Sequence, residues 1–191
     1  MMKIHVSLIT AGAGMVFALT AGAMGSVTVI GNGVAEQCFA AVDDERFDTA
    51  TLSLCDTALQ DELMDVRDRA GTYINRGVVH MRREEMDAAR RDFDAAIALA
   101  PNLGEGWANR GAVLVGQHRF SEGVAELAKA IQLGIKHPEK AYYNRALAYE
   151  GLDDEKNAYL DFQQALTLKP GWALATKELL RFTVTHRQVG G

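Results

Sequence analysis

The chain has 191 residues, 48% hydrophobic and 24% charged, which is enough to build one substantial core. A formal net charge of -5 and a pI near 5.5, with no long run of one sign, argue against a broad electrostatic surface for nucleic acid. No Gly-x-Ser-x-Gly, phosphate-binding glycine loop or His-Glu-x-x-His occurs, and the five histidines (His5, His80, His118, His137 and His186) are scattered, so neither catalysis nor a cofactor or metal is expected.

The chain opens with Met1 to His5, which carry one lysine, and continues in an apolar, Gly/Ala-rich run from Val6 to about Met24. Ala21-Gly22-Ala23 offers the small-x-small pattern that a signal peptidase needs. Residues 1–23 are therefore expected to be a secretory signal, with the mature protein exported, most readily to a bacterial periplasm, and free of the membrane after cleavage. The alternative is a retained anchor in the inner membrane, because the run is just long enough to cross a bilayer. Residues 24–33 follow as a linker, with Val27-Thr28-Val29-Ile30 extended by propensity.

From Val34 the chain is repetitive, although the first copy, residues 34–69, is degenerate and legible only from the three that follow. Asn75-Arg76-Gly77 recurs as Asn109-Arg110-Gly111 and as Asn144-Arg145-Ala146, at steps of 34 and 35 residues. Small residues recur at Gly77, Gly111 and Ala146 and again at Ala89, Gly123 and Ala158, where two helices can cross closely. Bulky residues stand beside them: Tyr73, Trp107 and Tyr142 on the first helix, Phe93, Leu127 and Phe162 on the second. Ala96, Ala130 and Ala165 follow, each with an aliphatic neighbour, and Pro101 and Pro170 close two of the hairpins. A period in this range with helical spacing marks a stacked array of helix hairpins. The set resembles the tetratricopeptide repeat family, strongly over about 70–172. The resemblance implies an all-α, right-handed superhelical array of antiparallel hairpins over 34–69, 70–103, 104–138 and 139–172.

Aligning Ala58-Leu59 with Ala96-Ile97 fixes the register of the degenerate copy and puts Gln37 at the asparagine position, Cys38 at the arginine position and Cys55 at that of Phe93. About four extra residues near Val66 to Arg69 separate this hairpin from the next. The two cysteines, the only ones in the chain, then face each other across one hairpin. If the chain is exported, a Cys38–Cys55 disulfide is expected; in a reducing compartment they would be two small buried hydrophobes. In the three strong copies Arg76, Arg110 and Arg145 are each followed sixteen residues later by an acid, Asp92, Glu126 and Asp161, which predicts an ion pair inside each hairpin. The alternative is an arginine row awaiting an anionic ligand.

Capping residues are expected at Asp87, Ser121 and Asp153 or Asp154, at the starts of the second helices. Beyond Pro170-Gly171-Trp172, residues 173–183 offer Leu174, Leu179, Leu180 and Phe182 for a terminal capping helix, and 184–191 is expected to fray.

The function expected of such an array is binding or scaffolding rather than catalysis, with an extended segment or a helix of another protein held in the concave groove and its oligomeric state undetermined. First helices line the concave face, so Asn75, Asn109 and Asn144 project from equivalent places, and an amide both donates and accepts. The resemblance implies that this row grips the main chain of an extended peptide, with Gln37 one step further and Lys140 and Tyr143 beside it; equally, asparagine there can be a residue retained for the hairpin alone. The family's clamp for a C-terminal carboxylate is not expected: Lys140 and Asn109 match it, but Ile74 and Val78 stand where Lys and Asn would, and Asn144 where an Arg would. An accessory subunit of an envelope assembly, using its convex face or ends, is the alternative.

Overall fold

In a computed structural model of the chain, residues 3–8, 26–28, 33–61 and 63–187 are described. Among them the order is β1 (Lys3–Leu8), α1 (Val34–Asp43), α2 (Thr49–Leu59), α3 (Val66–Arg82), α4 (Met86–Leu99), α5 (Gly104–Gly116), α6 (Phe120–Leu133), α7 (Pro138–Glu150), α8 (Glu155–Leu168), α9 (Ala173–Leu179) and β2 (Phe182–Arg187). The helices pair as α1/α2, α3/α4, α5/α6 and α7/α8, and each hairpin packs on the next. This is the all-α repeat array that the 34-residue period implies, closed by α9 against α8.

The four hairpins turn in the same way. Glu45, Glu84, His118 and Asp153 all have positive φ, at 57°, 64°, 60° and 58°. The next residue's N–H reaches back to the carbonyl five positions earlier in each case, Arg46 to Ala41, Glu85 to His80, Arg119 to Leu114 and Asp154 to Tyr149, at 2.8 to 2.9 Å. This is the six-to-one closure of a helix C-terminus, and a left-handed residue is what it demands. Three of the four second helices then start at the second residue after the left-handed one. Hence α4 and α6 begin one residue before the expected caps: Asp87 and Ser121 lie inside the first turn, and Glu85 and Arg119 make no side-chain cap. Asp154 does cap α8, accepting from Asn157 N–H at 3.2 Å.

The crossing points are where small residues recur. A Cβ on Gly77 would lie 2.5 Å from the ring of Phe93, and one on Gly111 would lie 2.9 Å from Leu127. Phe93, Leu127 and Phe162 are fully buried beneath them. The four extra residues expected between the first two hairpins belong to a helix: α3 starts at Val66, one turn earlier than its counterparts, and Asp65 caps it by accepting from Asp68 N–H at 2.9 Å.

The two ends of the chain differ from the sequence reading. Residues 182–187 form an antiparallel pair with 3–8, from Leu8 opposite Phe182 to Lys3 opposite Arg187. The tail is therefore ordered through Arg187 rather than open from residue 184, because β1 satisfies its main-chain groups. Val6 and Phe182 are buried with Tyr143, Ala146 and Phe162 in the last core cluster. Most of the expected signal, residues 9–23, lies outside the described residues, as do 188–191. No helix among the described residues is long and apolar enough to cross a membrane.

Candidate peptide groove

The row of first helices is held in register by the arginines. Arg76 donates to both oxygens of Asp92 at 2.9 and 2.6 Å, Arg110 to both of Glu126 at 3.0 and 2.7 Å, and Arg145 to both of Asp161 at 2.7 and 2.9 Å. The guanidinium fork matches a carboxylate, and these charge-assisted bonds hold the arginines above their ordinary pKa. The arginines are thus structural and not an anion row.

Two features of these arginines are absent from the sequence reading. Each guanidinium lies over the aromatic ring three residues before it, Tyr73, Trp107 and Tyr142, at 5.1 to 5.4 Å from the ring centre. Arg76 and Arg110 also reach back to the preceding hairpin, donating to Asp56 at 2.7 Å and to Asp94 at 2.6 Å. The signal was there to read: an acid directly after Cys55 and Phe93. After Leu127 the same position is Ala128, and among the described residues Arg145 bonds within its own hairpin, to Asp161.

In the first hairpin Cys38 and Cys55 form a disulfide, with Cα atoms 5.0 Å apart and both side chains fully buried. It occupies the place that the arginine bond has in the other copies, on the hairpin with the shortest pair of helices.

The asparagines form a row of equivalent positions on three successive first helices. Asn75, Asn109 and Asn144 are each 0% exposed, although each has polar atoms that need partners. Asn75 meets the main chain of Val27: its Oδ1 accepts from the Val27 N–H at 2.8 Å, and its Nδ2 donates to the Val27 carbonyl at 3.0 Å. One amide thus clips both main-chain groups of one residue that lies outside the helices. Asn109 Nδ2 donates to the carbonyl of Glu105 at 3.0 Å. Both side-chain atoms of Asn144 are buried without a hydrogen-bond partner among the described residues.

The remaining candidates divide. Lys140 is half-buried on α7, beside the row, and burial lowers its pKa. Gln37 is exposed, unlike the three asparagines, so the row has three members and not four. Tyr143 is buried between Phe162 and Trp172, with ring centres 5.5 and 5.0 Å away, and burial pushes its hydroxyl up to about 12. It seals the last hairpin instead of lining the groove, because α9 and Trp172 need an aromatic surface to close on. Ile74 and Val78, which stand where a carboxylate clamp needs polar groups, are buried in the core beneath Val27. No group of acids, cysteines and histidines suited to a metal occurs among the described residues.

This geometry defines a class: stacked helix hairpins whose inner face carries a repeated amide. The tetratricopeptide repeat pattern matches residues 70–103 and 139–171, so the second and fourth hairpins are tetratricopeptide repeats by sequence. Over 86 residues, 44% of the chain, it is 34% identical to an Hsp70-Hsp90 organizing protein of Triticum aestivum, but the match spans only 14% of that protein's length. Among solved structures it resembles the tetratricopeptide repeat domain of Arabidopsis OM64, with 25% identity and a TM-score of 0.58 over 61% of this chain and 96% of that one. It also shares its fold with MamA, at 17% identity and a TM-score of 0.61 over 78% of this chain and 82% of that one. The role these relatives support is protein–protein interaction or scaffolding.

Proposed function

We propose that the array is a non-enzymatic interaction module that holds an extended segment of another protein in its concave groove, through the main chain and along the row Asn75, Asn109 and Asn144. The observation that carries this reading is the two-bond clip of Asn75 on Val27. An amide at the same repeat position, Asn144, is buried with both atoms unpaired, and leaving such groups unsatisfied costs about 1–3 kcal/mol. A peptide main chain supplies the donor and acceptor that Asn144 lacks. Because the contacts go to main-chain groups, this part of the groove selects for extended conformation and not for sequence.

The setting we propose is the periplasm, after removal of residues 1–23, a cleavage that takes β1 away from β2 and Val6 out of the last core cluster. A Cys38–Cys55 bond persists in an oxidising compartment, and the Ala21-Gly22-Ala23 pattern supplies a cleavage site. The mass of the exported species tests this: a chain starting at Met24 is expected, and the full mass in the membrane fraction would establish an anchor. A second reading, contact through the ends, has one observation in its favour: Leu160, Leu168, Leu174 and Leu180 are exposed toward the C-terminal end of the array.

The groove is tested by selecting unstructured peptides from a display library on the mature chain, then measuring their affinity for Asn109→Ala and Asn144→Ala variants. At least a tenfold loss is expected with each variant, about 1.4 kcal/mol. Affinities unchanged in both would reject the groove.

A further inference from the structure

The groove is already in use. Residues 26–28, from the segment that precedes the array, sit on α3 as a ligand would. The Val27 main chain is held at both its N–H and its carbonyl by Asn75. Its side chain is 9% exposed and belongs to the core cluster that contains Val42, Ile74 and Val78. Ser26, 7% exposed, donates from Oγ to Asp43 Oδ1 at 2.8 Å, at the C-terminal end of α1. Three kinds of contact meet on two adjacent residues: a main-chain clip, an apolar pocket and a hydroxyl bond to a carboxylate. A linker passing by has no need of all three.

We propose that Ser26-Val27 is an internal ligand of the groove, and that the external partner is an extended segment of like chemistry, a small hydroxyl residue followed by a β-branched aliphatic one, which must displace it. This rests on the groove reading above and adds to it the identity of the side chains selected at the Asn75 end and a built-in competitor. Each contact sets a requirement. The buried pocket takes a Val- or Ile-sized side chain and excludes a charged one, because a charge there would be desolvated without a partner. Asp43 accepts from a hydroxyl and repels an acid at the preceding position. The clip requires an N–H on the second residue, which excludes proline there. Residues 26–28 follow the expected cleavage site after Ala23, so the internal ligand remains in the mature chain as part of a short N-terminal arm.

The competitor lowers apparent affinity by the fraction of time the groove is open, so releasing it must strengthen binding in trans. The probe is a fluorescent peptide with the sequence of residues 24–33, titrated against the full mature chain and its Val27→Asp variant. Binding at least tenfold tighter to V27D than to wild type is expected, with loss of that gain in V27D/N75A and no binding by a peptide carrying the same Val-to-Asp change. Equal affinity for wild type and V27D, or binding that survives V27D/N75A, would overturn the proposal.

Amide exchange provides a second measurement in the wild-type chain, independent of whether V27D folds. The Val27 N–H is expected to be protected, to lose protection in N75A and to lose it on adding excess peptide. A Val27 amide that exchanges freely in wild type would overturn the proposal. So would protection that appears only with a mass of two chains, since the arm would then occupy a second copy. Failure of these tests while library peptides still depend on Asn109 and Asn144 would dismiss the internal ligand and leave the groove standing. Failure of both sets would dismiss the groove itself.

Discussion

Asn75 and Asn144 occupy the same position in two copies of one repeat, and both are fully buried, yet their amides have opposite fates. At the first, a segment of the chain itself supplies a donor and an acceptor; at the second, neither atom has a hydrogen-bond partner among the described residues. The hairpins beneath them differ as well. The first hairpin is closed by a disulfide and tied by Asp56 to Arg76 of the next, whereas Arg145 bonds to Asp161 of its own hairpin and, among the described residues, makes no link backward. The contrast teaches that a repeat fixes where a binding group stands, while its surroundings decide whether that group is satisfied, vacant or structural.

The largest effect expected concerns the bridging arginines. Arg110→Ala takes the cation from Glu126 and leaves Asp94 to the more distant Arg90, 3.8 Å away, and breaking such a partly buried pair should cost about 3 kcal/mol. Arg145→Ala strands Asp161 alone and should cost about 1 kcal/mol less, read as the difference in urea midpoints at constant slope. Equal losses would mean that the link between hairpins contributes nothing.

Reduction of Cys38–Cys55, or Cys38→Ser with Cys55→Ser, should cost about 3 kcal/mol for a loop of this size. In a repeat array the loss should be local. Amide protection is expected to fall in α1 and α2 and to persist in α5 to α8; uniform loss across all hairpins would show that the array unfolds as one unit.

The two asparagines should separate in stability. Asn75→Ala leaves the Val27 N–H and carbonyl without partners and should destabilise by about 2 kcal/mol. Asn144→Leu removes an unsatisfied buried amide and should be neutral or stabilising by about 1 kcal/mol without ligand, while removing peptide binding at that end. Thermal melts of both variants decide it, and a large loss in N144L would assign that amide a structural partner.

The one pH-dependent effect expected sits at the C-terminal end. Burial pushes the Glu150 carboxyl up to about 7, partly opposed by Arg181, whose Nη atoms stand 3.3 and 3.5 Å away, and reinforced by Glu178, which itself pairs with Arg181. The folded chain therefore holds a proton that the unfolded chain releases above its ordinary value of 4.5. The Glu150 contribution to stability is greatest below that value, falls as pH rises toward about 7 and is flat beyond. Glu150→Gln should flatten the difference between midpoints at pH 5 and pH 8, and an unchanged slope would place the titration elsewhere.

Much of this protein was legible in one sequence because each repeat states the same solution again. The period, the small crossing residues, the Arg-to-acid spacing and the place of Cys38 and Cys55 all follow from local helix geometry, and a hairpin satisfies them within about 34 residues. Even the extra residues that open α3 were visible, although their helical state needed the cap at Asp65. What sequence could not determine depends on contacts between segments far apart. Nothing in Ser26-Val27 announces that it will meet Asn75, 48 residues on from Val27. Nothing in residues 182–187 announces a partner strand at 3–8. Tyr143 and Gln37 stand at groove positions by register, and only the end cap on one and the solvent around the other removed them from the groove. Repeats fix local geometry because their contacts are short-range; occupancy of the groove is a long-range choice, made when the whole chain is in place.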